Sequence, residues 1–445
     1  MVGAATLVML MVYTAPLAAI GAVGASLDAG VDGRAWILSS MSIGLAATLL
    51  PAGAIADDAG RRRALMWGLA LTAVACAVCV VATDPATFVG ARVVQGVGGA
   101  LITAAGLGIV AHTFPLGPAR ATAAGIWGAS VGAGIAFGPI LAAATVEWAS
   151  WRLDYALLAL LAAAVAGIAP KAVSESRSHQ PRGIDVTGMG LLGAAITCLL
   201  AALVFGRQGW SDSEVVVLGG AGVMLAVAFF VHEARTAEPM LDPALWRAPA
   251  FRAATVAAFV VGTGPIALFS YFNGFAEAAL GYTPMHDALL LLMWSATSVV
   301  FALLARRLPP AFSARWQFTV GLLVLAGALI TLVGIDPDST WLRFAPGLLL
   351  AGIASGVLNS ALGREAVASV PEGRGAMGSG ANNTSRYLGA AVGVTVVAVV
   401  VAGAGTTPED LLRGWDLAAV ICSGTCLVGA FVTAWSRPRR ATVGN

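Results

Sequence analysis

The chain has 445 residues, of which 58% are hydrophobic and 11% charged, with a mean hydropathy of +0.86. So little polar surface cannot cover a water-soluble globule of this size, and lipid must be the solvent for most of it. A net charge of +2, with arginines scattered along the chain, excludes the basic face that nucleic-acid binding needs.

Apolar runs of roughly 17 to 25 residues, the length that crosses the hydrocarbon layer, fall at 5–25, 35–56, 64–83, 88–111, 120–145 and 152–169. Two more lie at 186–206 and 214–232, and six at 252–280, 286–305, 316–335, 341–361, 378–403 and 415–435. The spacing predicts fourteen spans in a six, two, six order. No Lys or Arg precedes the first run, so it lacks the charged head of a cleavable signal and is expected to be the first span. With the N-terminus inside, eighteen of the 25 Lys and Arg fall in inside segments and five in outside loops, leaving Arg92 and Arg386 within spans. That bias predicts both termini on the cytoplasmic side. Backbone polar groups in lipid must be satisfied within the segment, so the expected fold is an all-α bundle, and enzyme folds built on β-α-β units are excluded.

The most polar internal stretch runs from Pro170 to Asp185, with Lys171, Glu175, Arg177, His179 and Arg182. It is expected to be a cytoplasmic linker, dividing the chain into residues 1–170, 171–185, 186–248, 249–436 and a cytoplasmic tail at 437–445. Cys76 and Cys79 spell Cys-x-x-Cys inside a span, where they read as small apolar residues rather than a redox pair. The five cysteines lack companions for a disulfide framework or a metal site. Lys171 is the only lysine and no P-loop exists, so ATP does not drive this chain directly. No cofactor or metal is expected.

Between spans 2 and 3 the chain reads Gly53-Ala-Ile-Ala-Asp57-Asp58-Ala-Gly60-Arg61-Arg62-Arg63. Glycines let helix ends approach closely, and Asp57 with the arginines suits charge-assisted pairing. This resembles the signature loop of the major facilitator superfamily, and the resemblance implies pairs that hold a cytoplasmic gate shut, beyond the arginines' effect on topology. Span 4 carries Arg92 followed by Gln95 and the glycines 96, 98 and 99. An intramembrane arginine must face a partner or a watery cavity, or else snorkel to the interface. The pattern is similar to the superfamily's second motif, in which the arginine is linked to proton movement. Span 5 has Gly128, Gly132, Gly134 and Gly138-Pro139, small-residue ladders for close packing that end at a bend. They resemble the antiporter motif of exporters, with Leu141 and Ala142 in place of its usual glycine pair.

Span 13 echoes this ladder with Arg386-Tyr387-Leu-Gly389 and Gly393, suggesting an internal repeat. Together with the segment Glu238-Pro-Met-Leu-Asp242-Pro-Ala-Leu-Trp246, the six, two, six order is similar to the fourteen-helix drug:proton antiporter family. The resemblance covers essentially the whole chain. It implies the major facilitator fold: two six-helix bundles plus two inserted helices. It also implies export of small, fairly hydrophobic organic compounds by proton antiport and alternating access.

The acid usual in span 1 is absent, with Val12 and Leu17 at the places of the family's acid and asparagine. Candidates for proton coupling are therefore Arg92, Glu277, Asp287 beside His286, Asp154, and Asp416 opening span 14. Glu277 ranks first. Cavity candidates, polar or aromatic on spans 5, 9, 10 and 13, are Trp127, Tyr271, Asn273, Glu277, Trp294, Asn383, Arg386 and Tyr387. Asn382-Asn383-Thr384 matches a glycosylation sequon by chance at a cytoplasmic helix end. The expected partners are a small organic substrate, protons and the lipid bilayer, for a monomer that binds no nucleic acid. Alternatives are a metabolite importer or uniporter without proton coupling, and a membrane sensor that does not transport. Arginine in place of lysine, with abundant Ala and Gly, points to a GC-rich bacterial genome and a cytoplasmic membrane.

Overall fold

Each apolar run becomes helix, as the need to satisfy backbone groups in lipid dictates. The computed structural model describes residues 1–115, 117–178, 185–206, 209, 211–236, 239–240, 243–309 and 311–436, without the side chains of Val31, Asp32 and Pro243. Arg182, His179, Arg207, Glu238, Asp242 and the tail 437–445 lie outside the described residues. The helices are α1 (Val2–Thr14), α2 (Pro16–Ser26), α3 (Val31–Ala59), α4 (Arg61–Val81), α5 (Pro85–Thr113), α6 (Pro118–Trp148), α7 (Trp151–Ala172), α8 (Val186–Phe205) and α9 (Ser213–Arg235). They continue with α10 (Pro249–Val261), α11 (Ala267–Leu280), α12 (Pro284–Leu304), α13 (Ala314–Ile330), α14 (Trp341–Ala368), α15 (Gly375–Ala404) and α16 (Pro408–Trp435). No strand occurs among the described residues.

Among the described residues twelve spans are long and apolar enough to cross a membrane, and α1 with α2, taken as one span bent by 46°, make a thirteenth. The bend has a covalent cause: Pro16 has no N–H to offer and breaks the helix behind Thr14. The eleventh run, expected at 316–335, is helical only in α13, 17 residues long. Fourteen is therefore not an exact count of full spans. The Arg343 guanidinium donates to the Thr331 and Val333 carbonyls, and Gly334 at φ 75° turns the chain away, so the helix stops early. The ninth span is continuous from Pro249 to Leu280 but changes pitch midway: α10 and α11 join through a π-turn, Gly262–Ile266, that contains Pro265.

Among the described residues two large hydrophobic cores organise the molecule, one built mainly from α1 to α7 and the other from α10 to α16, with a smaller third cluster between them. The halves meet where α6 packs on α12 and α14, and where α15 packs on α3 and α5. Helices α8 and α9 pair with each other and lean on the rest through α8 against α3 and α15, and through Phe229 of α9, which packs in a cluster with Leu50, Phe251 and Met377. Their outer face carries exposed Val216, Val217, Val223, Met224, Val227 and Phe230. Such a face is stable only against acyl chains, and Trp148, Trp341 and Trp435, exposed at helix ends, suit the headgroup layer.

Candidate functional site

At the arginine-rich end, α3 passes into α4 through Gly60 at φ 122°, a backbone region that side chains rarely adopt. The turn places Arg61 back over Asp57, both buried: Arg61 donates to Asp57 Oδ1 from Nε at 2.9 Å and Nη2 at 2.6 Å. Asp57 also accepts from the backbone N–H of Ala376 at 3.2 Å and Met377 at 2.9 Å, the free donors that open α15. Arg61 Nη2 reaches the Gly373 carbonyl at 2.8 Å, and Arg374 Nη1 donates to Asp58 at 3.1 Å. One ionic lattice thus ties the first half to the second. An ideal Cβ on Gly53 would stand 2.6 Å from the Ala376 carbonyl oxygen, so only glycine permits this approach.

Arg62 and Arg63 do not join the lattice. Their backbone N–H groups donate to Glu175, at 3.0 and 3.3 Å, and their side chains lie 3.8 and 3.7 Å from it. Glu175 belongs to the first part of the linker, which docks on the same turn: Arg61 N–H donates to the Ser176 carbonyl at 2.9 Å, and Ser178 N–H to that of Asp57 at 2.7 Å.

Arg92 is fully buried within α5 and points at the bend of the first span. Its Nη1 donates to the Val12 carbonyl at 2.7 Å and to Gln95 Oε1 at 2.8 Å, and Nη2 to the Tyr13 carbonyl at 3.3 Å. Val12 is the residue whose carbonyl an N–H at position 16 would have taken, so the arginine replaces the bond that Pro16 deletes. Gln95 Nε2 in turn contacts the Cys76 and Cys79 sulfurs, each at 3.4 Å, so the Cys-x-x-Cys pair supports this network as thiols. Asp154, on α7, is buried beside the same cluster and feels the charge of Arg92. Neither of its oxygens has a hydrogen-bond partner among the described residues.

The span 5 glycines divide between two partners. Ideal Cβ atoms at Gly128 and Gly132 would press on α14 and α12 of the other half, 3.2 Å from Ser360 N and 3.1 Å from the Ser295 carbonyl oxygen. Those at Gly134 and Gly138 would strike α1, each 2.7 Å from a carbonyl oxygen, of Leu7 and Met11. Pro139 follows on the central side, lining the cleft described below. In the second half, a Cβ at Gly393 would sit 2.6 Å from the Thr263 carbonyl oxygen of the π-turn. In both halves a small-residue ladder packs on a span with a proline-bearing irregularity, the bend at Pro16 in one and the π-turn at Pro265 in the other.

A narrow cleft of about 60 Å³ lies between the halves, lined by Leu10, Tyr13, Thr14, Val131 and Ile135 on one side and Phe269, Trp294, Ser355, Asn359, Arg386 and Tyr387 on the other. Tyr13 and Tyr387 meet edge to face across it, ring centroids 5.5 Å apart. Beyond them a second cleft, about 160 Å³, is lined by Ser42, Tyr271, Thr395 and Leu200 of the inserted α8. Trp294 Nε1 donates to Ser355 Oγ at 3.0 Å. Arg386 is buried, with the Tyr387 ring 5.2 Å from its guanidinium carbon.

The sequence profile of the Major Facilitator Superfamily matches residues 2–394. The chain belongs to the Major Facilitator Superfamily. Its relatives include the multidrug resistance protein Stp of Mycobacterium tuberculosis, 29% identical over 85% of this chain and 70% of that protein. A probable actinorhodin transporter of Streptomyces coelicolor is 30% identical over 86% of this chain and 68% of that one. Among solved structures, the human organic anion transporter MFSD10 (TETRAN) superposes with a TM-score of 0.69, covering 97% of each chain; at 17% identity this likeness speaks for the fold alone.

As a Major Facilitator Superfamily member the chain is a multi-pass membrane transporter, and its residues fall into place unevenly. Of the cavity candidates, Tyr271, Trp294, Arg386 and Tyr387 line the two clefts. Trp127 instead borders a third cavity near Met1 and Val173. Asn383 donates to the Ser379 carbonyl at 3.0 Å, and Asn273 is buried with its amide unbonded among the described residues; neither lines these clefts. Glu277 is exposed, whereas Asp287 is buried at the start of α12 with one oxygen unbonded. Sequence reasoning missed Tyr13, Phe269, Ser355 and Asn359 in the cleft, and Arg374, Asp58 and Glu175 at the junction. The adjacency of Asp58 to Asp57 was a usable signal. For Arg374, more than three hundred positions along the chain, none was visible.

Proposed function

We propose that the protein exports small, fairly hydrophobic organic compounds across a bacterial cytoplasmic membrane by alternating access, exchanging them for protons. The observation that carries this is the placement of the clefts: both are bounded by the two halves, and at the arginine-rich end the halves are tied by the lattice around Asp57 and Arg61. Breaking that lattice would open the cleft to the other side, so Gly53, Asp57, Gly60 and Arg61 act as the gate, with Arg62 and Arg63 setting topology and both termini inside. The named activities of the relatives, multidrug resistance and probable actinorhodin transport, supply the direction. The functional units are residues 1–170 and 249–436, rocking as a monomer, with 171–185 as linker, 186–248 as a lipid-facing insertion and 437–445 as a tail.

For the proton we choose Asp154 over Glu277 and Asp287. A carboxyl without a hydrogen bond, facing the arginine that braces the bent first span, couples its charge to helix geometry. A neutral Asp154 leaves Arg92 on the Val12 carbonyl, and an ionised one competes for it. The test is dye efflux into inverted vesicles with an imposed pH gradient. Flux that is independent of the gradient would remove proton exchange and leave a facilitator, and flux only in the opposite direction would make the chain an importer.

A further inference from the structure

The interior arginines of this protein share a habit that one of them breaks. Arg61 has Asp57, Arg92 has two carbonyls and Gln95, Arg364 has Gln317 and Ser360, and Arg374 has Asp58. Arg386, on α15 and 4% exposed, makes no hydrogen bond to any described residue, and its Nε is buried without a partner. The Tyr387 ring centroid lies 5.2 Å from its guanidinium carbon. A guanidinium stays protonated at any working pH and carries five donors in a planar fork. At membrane depth such a group is stable when a cavity or a partner receives it. Arg386 faces the central cleft, whose lining contains no Asp, Glu, Lys or second Arg, and the neighbouring cleft adds none.

We propose that the cleft selects aromatic anions, with the Arg386 guanidinium meeting a carboxylate, sulfonate or phenolate of the substrate. This rests on the export reading above and narrows its substrate class. The fork of Arg386 suits a planar oxyanion held by two parallel bonds. Tyr13, Phe269, Trp294 and Tyr387 provide ring faces and edges for the aromatic body, and Ser355 and Asn359 provide polar atoms for its substituents. A cationic drug would find a like charge and no carboxylate to offset it, so the cleft disfavours that class.

The test uses the full chain in phosphatidylcholine vesicles, which excludes anionic lipid as a rival occupant. Fluorescein and tetramethylrhodamine methyl ester share a xanthene body and carry opposite charge at neutral pH. Binding is read by anisotropy, and uptake under a pH gradient with the membrane potential clamped. The parent protein is expected to bind fluorescein at least about tenfold more tightly than the cationic dye, the size of one charge-assisted pair. Arg386→Gln should erase that preference by weakening fluorescein alone, and Arg386→Lys should keep part of it. Equal affinities in the parent, or an equal loss of both dyes in Arg386→Gln, would overturn the proposal and make the arginine structural. Anion-selective binding without transport of either dye would instead overturn the export reading and leave the site standing. Transport of the cationic dye as well as the anionic one would leave export and remove the selectivity.

Discussion

Arg61 and Arg386 are nearly equally withdrawn from solvent, 2% and 4% exposed, yet their surroundings are opposite. Around Arg61 the available donors and acceptors close on one another: a carboxylate, a carbonyl and two N–H groups from the start of α15. Around Arg386 the walls offer ring faces and neutral polar groups, and the charge is left over. A buried guanidinium with its full complement holds two pieces of protein together. One without it is available to something that comes and goes.

If that contrast is right, the closed lattice should be costly to cut. Asp57→Ala leaves Arg61 buried without its carboxylate and should lower stability by about 3 to 5 kcal/mol, as removal of one partner of a buried pair does. Thermal unfolding in detergent reads it. Adding Arg61→Ala should restore part of the loss, and strict additivity of the two changes would mean that they do not act as a pair. Arg92 stands between the extremes, with carbonyls but no bonded carboxylate. Arg92→Met strands the Val12 carbonyl at the Pro16 bend, and the expected loss is about 1.5 to 3 kcal/mol, the range for hydrogen bonds to charged groups. Introducing Pro16→Ala in the same chain should shrink that loss, because the helix then supplies its own donor.

A smaller effect is expected at the edge of the insertion. Asp185 caps α8 by accepting from Gly188 N–H at 2.8 Å and bonds His232 of α9 at 2.9 Å. Burial pushes its carboxyl up, but these bonds outweigh it and hold the group below its usual range. Its contribution is therefore complete above the ordinary carboxylate pKa and fades only as pH falls through the lower folded value. Asp185→Ala should cost about 1 kcal/mol at neutral pH, a typical cap, and the gap to the parent should close only in acid. The smallest change in stability is expected at Asp154, which has no bond to lose. Asp154→Asn should fold normally and yet transport without regard to the pH gradient. A variant that keeps full gradient dependence would return the search to Asp287.

Much of the fold was legible because membrane insertion is close to a sum over local residues. The apolar runs marked the helices, whereas the bend expected at Pro139 falls inside the continuous α6 and the one at Pro16 was not expected. The span at 316–335 shows the limit: hydropathy continues past Ile330, but Arg343 captures the carbonyls there and ends the helix. The candidate site was legible in part. Arg92 had to be placed against something, yet its partner, a carbonyl freed by a proline eighty positions earlier, is invisible to any local pattern. Glu277 looked the best acid by position and lies exposed, whereas Asp154 looked peripheral and lies buried beside Arg92.

From composition and spacing alone came the lipid solvent, the helical class and the presence of charges that cannot face acyl chains. Tertiary structure alone chose Arg61 over Arg62 and Arg63 for the lattice, sent Gly128 and Gly132 to one partner and Gly134 and Gly138 to another, and left Arg386 facing a cleft. The physical reason is rotation. Hydropathy determines that a helix crosses, while the direction each side chain faces depends on tilt and turn about the helix axis, and those are settled by packing against helices far away in the chain.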